Sequence, residues 1–122
     1  MLAGINYMHH EGVAHMDLKE ANIIINEQLQ VKIIDFGLSI QALRPGFHRP
    51  RYDAFGTSLY MSPELHFRRG YYGREADMWA FGVLLYRSFT GSFPFKLNGK
   101  GRLIPPNRFR CRPIGRPCSY SK

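Results

Sequence analysis

The chain has 122 residues, 44% hydrophobic and 14% aromatic, which is apolar material for one globular unit of modest core and too little length for two. Its net charge of +8 is unevenly placed: residues 1 to 95 hold nine basic and nine acidic side chains, whereas residues 96 to 122 hold eight basic and no acidic ones, so the basicity belongs to the tail and not to a nucleic-acid-binding face of the body. No run approaches the roughly 18 apolar residues of a membrane span, and no basic stretch leads into a long apolar one at the N-terminus, so an intracellular chain outside the membrane is expected.

Leu2, Ile5 and Met8 recur at three-residue spacing, which predicts an amphipathic helix ending near Gly12, a residue suited to a left-handed cap. His9 and His10 carry no metal-ligand spacing and read as helix-end side chains. Ile23 to Ile25 and Val31 to Ile34 are short β-branched runs separated by the polar Asn26, Glu27 and Gln28, a pattern that predicts a small hairpin. From Leu38 to Met61 the chain carries Pro45, Gly46 and Pro50 and no long period, and a loop of that length usually has a function. Pro63 suits the first turn of a short helix, and Glu64 beside it favours the positive end of the helix dipole. Glu75 to Thr90 is apolar on nearly every side, with Met78, Trp79, Phe81, Val83, Leu84, Leu85, Tyr86 and Phe89. That predicts a helix buried within a larger body and stopped by Gly91 and Pro94. Its uncovered surface would favour self-association of the chain.

Residues 96 to 122 carry four prolines, three glycines and both cysteines without a sustained helical or strand period, so the tail is predicted to be disordered. Its charges would touch polyanions non-specifically, and specific nucleic-acid recognition is not expected, because Phe109 and Tyr120 are its only aromatics. Cys111 and Cys118 are separated by six residues with no neighbouring His, which reads as two free thiols and not as a zinc site.

The chemistry gathers in His15-Met16-Asp17-Leu18-Lys19-Glu20-Ala21-Asn22 and, thirteen residues after Asn22, in Asp35-Phe36-Gly37. These are followed by Gly56-Thr57-Ser58-Leu59-Tyr60, Ser62-Pro63-Glu64 and Asp77-Met78-Trp79-Ala80-Phe81-Gly82. Over residues 1 to 95 this order and spacing resemble the C-terminal lobe of a eukaryotic protein kinase catalytic domain, of the serine/threonine type by Lys19 and the Gly56 to Tyr60 run. The fold class implied is mainly α within an α+β plan: a partial kinase C-lobe at 1 to 95 with a small β-hairpin, then the basic tail at 96 to 122.

The resemblance implies ATP and Mg2+ as cofactors and a protein hydroxyl as substrate. Asp17 would accept or orient that hydroxyl, and Lys19 would set its ammonium against the transferring phosphate. Asn22 and Asp35 would hold magnesium, which favours hard oxygen ligands, and Ile24 would form the floor beneath adenine. His15 and Phe36 would stack near Asp77, and Asp77 would bond the catalytic-loop backbone. Thr57 would touch that loop, while Gly37 and Glu64 complete the activation-segment motifs. Two departures stand out: Met16 occupies a position where most of these kinases have arginine, and Ser62 one where they usually have alanine. Losing that guanidinium puts control by phosphorylation of the loop, at Thr57 or Ser58, in doubt.

The sequence holds no glycine-rich loop ahead of a strand, since Gly99-Lys100-Gly101 lies in the Pro-rich tail, and the resemblance is read as ending at Phe95. A truncated kinase domain, inactive as this isolated chain, is therefore expected. The alternatives are a non-catalytic kinase-like interaction module and an incomplete gene product.

Overall fold

The computed structural model describes residues 1–42, 51–67, 70–101 and 103–104. Helix α1 spans Leu2–His10 and buries Ile5 and Met8, one turn apart on the same face. It closes at Glu11, and Gly12 follows in the left-handed region at φ 77°, where a side chain would be strained. The chain then pairs Val13–Ala14 (β1) antiparallel with Ile40–Gln41 (β4), joining Val13 to Gln41 and Ala14 to Ile40. No local pattern announces this two-residue ladder, because its partners are 26 to 28 positions apart.

Between its two strands lies the hairpin that the β-branched runs predict. Ile23–Ile25 (β2) pairs with Val31–Ile33 (β3), with Ile23 opposite Ile33. Asn26 closes its loop: its side-chain oxygen accepts from Gln30 N at 2.8 Å, its own N–H donates to Gln30 O at 3.1 Å, and Leu29 turns through φ 58°. Pro63–His66 forms α2 with Pro63 in its first turn, as its fixed φ favours.

Helix α3 spans Gly73–Thr90 and ends on Gly91, whose φ of 71° makes a left-handed cap with its N–H on Arg87 O at 2.7 Å. Its buried residues are Gly73, Ala76, Asp77, Ala80, Val83 and Leu84, all on one face. The apolar residues off that face stay uncovered, as expected of a helix whose covering elements are not in this chain: Met78, Leu85 and Phe89 are exposed, Phe89 at 70%. Trp79 stacks on Phe95 with ring centroids 5.2 Å apart. The two lie in an open apolar groove of about 340 Å³ that Met78, Val83, Tyr86 and Pro94 also line.

Two buried clusters sit beside the 15–22 loop. One joins Ile5, Met8, Leu18, Tyr60, Ala80, Val83 and Leu84; the other joins Ala14, Met16, Ala42, Leu65, Tyr71 and Ala76. Met16 and Leu18, the two neighbours of residue 17, are thus anchored in different clusters. Among the described residues no helix is long and apolar enough to cross a membrane.

The expected start of the disordered tail at residue 96 also needs correction. Lys96–Leu97 (β5) pairs with Leu103–Ile104 (β6). The turn between them is made by Asn98, whose side chain accepts from Lys100 N at 2.9 Å, and by Gly101 at φ 70°. Asn and Gly supply turn geometry through a local side-chain bond and a permitted positive φ, so the signal was present in Asn98-Gly99-Lys100-Gly101. Arg102 and residues 105–122, including both cysteines, lie outside the described residues, as does the 43–50 stretch of the long loop.

Gly73 fixes how closely α3 approaches the β1–β4 ladder. A Cβ there would lie 2.7 Å from Ala14 Cβ and 2.9 Å from Ile40 Cδ1. Alanine in place of helical glycine normally gains up to about 1 kcal/mol, while overpacking costs about 1–3 kcal/mol. Gly73→Ala is therefore expected to destabilise the fold by about 1–2 kcal/mol despite its higher helix propensity. A urea titration read by circular dichroism checks this, with a lowered midpoint at unchanged slope as the expected result.

Candidate active site

The site is assembled on one buried carboxylate. Asp77, 1% exposed on the first turns of α3, accepts from His15 N through Oδ2 and from Met16 N through Oδ1, each at 2.8 Å. His9 Nε2 lies 2.9 Å from the same Oδ2, so this histidine ties α1 to α3 and is more than the helix-end side chain that its spacing suggests. The backbone so held is unusual, since Met16 sits at φ 69°, a region costing roughly 1–2 kcal/mol for a side-chain-bearing residue.

His15 is fully buried and spans two loops. Its Nδ1 accepts from Asp17 N at 3.2 Å, which leaves the proton on Nε2 to donate to Ile34 O at 2.9 Å. Its ring lies 4.9 Å from that of Phe36, tilted by 59°. The residue before Asp35 is thereby fixed to the residue before Met16, and Asp35 itself turns at φ 61° with its carboxylate on Gly37 N at 3.3 Å.

Asp17 lies at the centre. Its Oδ1 accepts from Thr57 N at 3.0 Å and Thr57 Oγ1 at 2.7 Å, and its Oδ2 accepts from Lys19 Nζ at 2.6 Å. Lys19 also donates to Thr57 Oγ1 at 3.0 Å. Burial by itself raises the Asp17 pKa, but the bonds from Lys19 and Thr57 together with the Lys19 charge outweigh it and hold the carboxyl below the usual carboxylate range. Asn22, buried at the end of the single 3-10 turn Glu20–Asn22, donates from Nδ2 to Asp17 O at 2.8 Å and Oδ2 at 3.2 Å. That turns the amide nitrogen towards Asp17 and the carbonyl oxygen away from it. Ile34 N donates to Asn22 O at 3.0 Å, so the base of the β2–β3 hairpin carries Asn22 on one strand's approach and Asp35 just beyond the other. The motifs separated by thirteen residues meet for that reason.

The remaining predicted residues lie further out. Ile24 is 47% exposed on β2. Glu64 is half-buried on α2 and makes no ion pair with another described residue. Sequence reasoning missed a second polar junction beside the site: the Tyr60 hydroxyl donates to Glu20 Oε2, and Arg87 Nη1 donates to the Tyr60 hydroxyl at 3.1 Å. The Arg87 Nε lies 3.3 Å from Glu20 Oε1, and its guanidinium stands 4.2 Å over the Phe93 ring. Burial, then the Glu20 carboxylate, pushes the Tyr60 hydroxyl up to about 12. Nothing local in the sequence links residues 20, 60 and 87.

The site thus gathers a buried carboxylate, an ammonium, a threonine hydroxyl and an amide, with a second carboxylate just beyond the adjoining hairpin. Comparison with known proteins gives the family. Residues 1–107 match the protein kinase domain family. The chain is 39% identical over 96% of its length to CBL-interacting protein kinase 25 of Oryza sativa subsp. japonica, covering 23% of that protein. It is 44% identical over 78% of its length to sperm motility kinase Z of Mus musculus, covering 18% of it, and 42% identical over 80% to ribosomal protein S6 kinase alpha-2 of Homo sapiens, covering 13%. The chain belongs to the protein kinase family, whose members use ATP and a divalent metal ion. It spans less than a quarter of the length of these relatives. The match runs to residue 107, past Phe95, where the motif-based resemblance ends.

Asp17 has a testable acid signature. Its folded-state pKa lies below the unfolded value of roughly 3.9, so its stabilising contribution is complete above that value and is lost as pH falls through the folded pKa. The difference in unfolding free energy between wild type and Asp17→Asn should be constant above about pH 5 and shrink below about pH 4. Urea unfolding of both chains from pH 2.5 to 7 checks it; a difference that grows on acidification would contradict the assignment.

Proposed function

We propose that residues 1 to 95 are the C-terminal-lobe part of a serine/threonine protein kinase catalytic domain, moving the γ-phosphate of ATP to protein Ser and Thr hydroxyls. The observation that carries this reading is the arrangement about Asp17, which Thr57 and Lys19 hold on one side while Asn22 and the hairpin bring Asp35 near on the other. Asp17, kept ionised, accepts a hydrogen bond from the incoming hydroxyl and aligns it. Lys19 can exchange its contact with Asp17 for one with a transferring phosphate oxygen, since its side chain reaches both Asp17 and Thr57.

The donor set fits magnesium. Asn22 offers a carbonyl oxygen and Asp35 a carboxylate, two hard ligands that leave the other positions to phosphate oxygens and water. Bound Mg-ATP supplies the phosphoryl group and neutralises charge on its oxygens. Ile24, exposed on β2, offers apolar surface for the adenine. His15, Phe36, Gly37 and Asp77 hold the two loops in register, and Glu64 belongs to the segment that follows Thr57.

In this reading the chain alone does not transfer phosphate at a useful rate. Its sequence contains no glycine-rich loop or strand lysine to hold the α- and β-phosphates, and near-attack positioning is worth roughly 7 to 11 kcal/mol when reactants are fully held. The basic residues beyond 96 contribute non-specific polyanion contact that weakens with salt.

Radiolabel transfer from Mg-ATP to a serine-containing peptide tests the proposal. Residues 1 to 122 alone are expected to give background, and the same chain joined to a kinase N-terminal lobe is expected to give transfer that Asp17→Asn lowers by about 10²–10⁴-fold. Transfer by the isolated chain that survives in neither Asp17→Asn nor Asp35→Ala would sink the inactivity. No transfer by the joined chain would favour a non-catalytic interaction module.

A further inference from the structure

The segment that delivers Thr57 to Asp17 is fastened at its other end by a group of residues that neither the motifs nor the family match assigns. Arg51 and Tyr71 exchange both backbone hydrogen bonds, Arg51 N to Tyr71 O at 2.9 Å and Tyr71 N to Arg51 O at 3.0 Å. The Asp53 carboxylate sits across this bridge. Its Oδ1 accepts from Arg51 Nε at 3.0 Å and from the Tyr71 hydroxyl at 3.2 Å, and its Oδ2 accepts from Arg51 Nη2. The guanidinium also stands 6.0 Å from the centre of the Phe55 ring.

An exposed ion pair alone contributes little, because solvent screens it and both side chains lose freedom. This one differs in two respects. The pairing is bidentate, which fixes orientation as well as charge, and its carboxylate is shared with Tyr71, a residue buried in the cluster beneath α3's first turns. The hydrogen bond from Arg51 holds the Asp53 carboxyl below its usual range, and burial followed by the Asp53 charge raises the Tyr71 hydroxyl.

Beyond Asp53 three successive residues make contacts that fix the chain's course. Phe55 packs on the cluster that contains Met16 and Tyr71. Gly56, at φ 112°, passes so close to the catalytic loop that a Cβ would lie 2.7 Å from Met16 O. Thr57 follows, with both its N–H and hydroxyl on Asp17. Met16 is buried at 7% exposure with apolar neighbours, so at this position the loop carries a hydrophobic contact and no positive charge to receive a phosphate.

We propose that Arg51, Asp53 and Tyr71 form a built-in latch that positions the 51–57 segment on Asp17, with the Asp53 carboxylate and Met16 packing holding the segment where no phosphate group is required. The three are positioning residues; they act through Thr57 and touch no reacting group. The latch deepens the proposed phosphoryl-transfer role of Asp17 and rests on it for functional meaning, but its structural content is measurable without nucleotide.

The experiment is amide hydrogen exchange on the full 122-residue chain without ATP, comparing wild type, Asp53→Ala, Tyr71→Phe and the double variant. Each single variant is expected to speed exchange across residues 51 to 60 by about three- to tenfold while α3 amides keep their protection. The double variant should be no faster than the faster single one, because the two changes release the same restraint. Phosphatase treatment of chain produced in eukaryotic cells should leave protection of this segment unchanged. Wild-type exchange in the variants, equal acceleration throughout α3, or loss of protection on phosphatase treatment would each overturn the latch. Failure of phosphotransfer in the joined chain with this exchange pattern intact would instead remove the kinase reading and leave the latch standing.

Discussion

The architecture depends on the Asp77 carboxylate. It is withdrawn from water at the N-terminal end of a long helix, and a charge so placed is tolerated only when its acceptors are filled. The donors that fill them are the backbone N–H groups of His15 and Met16 and the ring of His9. Bonds of this charged kind are worth about 1.5–3 kcal/mol each, comparable to the cost of holding Met16 in the left-handed region. One interaction therefore joins α1, the loop at residues 15 and 16, and α3, and it also sets the backbone direction from which Asp17 emerges.

From that anchor the rest of the centre is built by short relays. His15 carries the register from the anchored loop to Ile34, through a tautomer whose two nitrogens have opposite duties. The β2–β3 ladder keeps Asn22 and Asp35 at a fixed separation, and Asp35 adds a second left-handed backbone beside the first. Backbone conformations of this cost persist only where the surroundings overdetermine them. Here the Asp77 bonds serve one and the hairpin with the Phe36–His15 contact serves the other.

The opposite wall is the incoming segment. Thr57 satisfies one oxygen of Asp17 while Lys19 satisfies the other, so the central carboxylate stays ionised and oriented without nucleotide. Gly56 permits the close approach, and the Arg51–Asp53–Tyr71 group and the Tyr60–Glu20–Arg87 junction bracket the segment at its two ends. α3 supports the site at two points along its length, Asp77 under the 15–16 backbone and Arg87 at the Tyr60 junction, and its buried face carries Ala80, Val83 and Leu84 into the core. Its outer face, with Met78, Leu85 and Phe89, stays open to further packing.

Much of this was legible in the chain because it is local. Periodicity over a few residues located α1, α3 and the β2–β3 hairpin, Pro63 and Gly91 marked a start and a stop, and the spaced motifs singled out Asp17, Lys19, Asn22, Asp35 and Asp77. Local signals also misled in one place, where the Pro-rich composition after Phe95 hid the short β5–β6 ladder. What only the tertiary structure decided is which distant groups meet. The β1–β4 pairing, the bond from His9 to Asp77, the Glu20–Tyr60–Arg87 junction and the grip of Tyr71 on Asp53 join residues up to 68 positions apart. Sequence spacing carries no such information, because these contacts arise when packed helices and loops bring together side chains whose neighbours along the chain have no periodic relation to their partners.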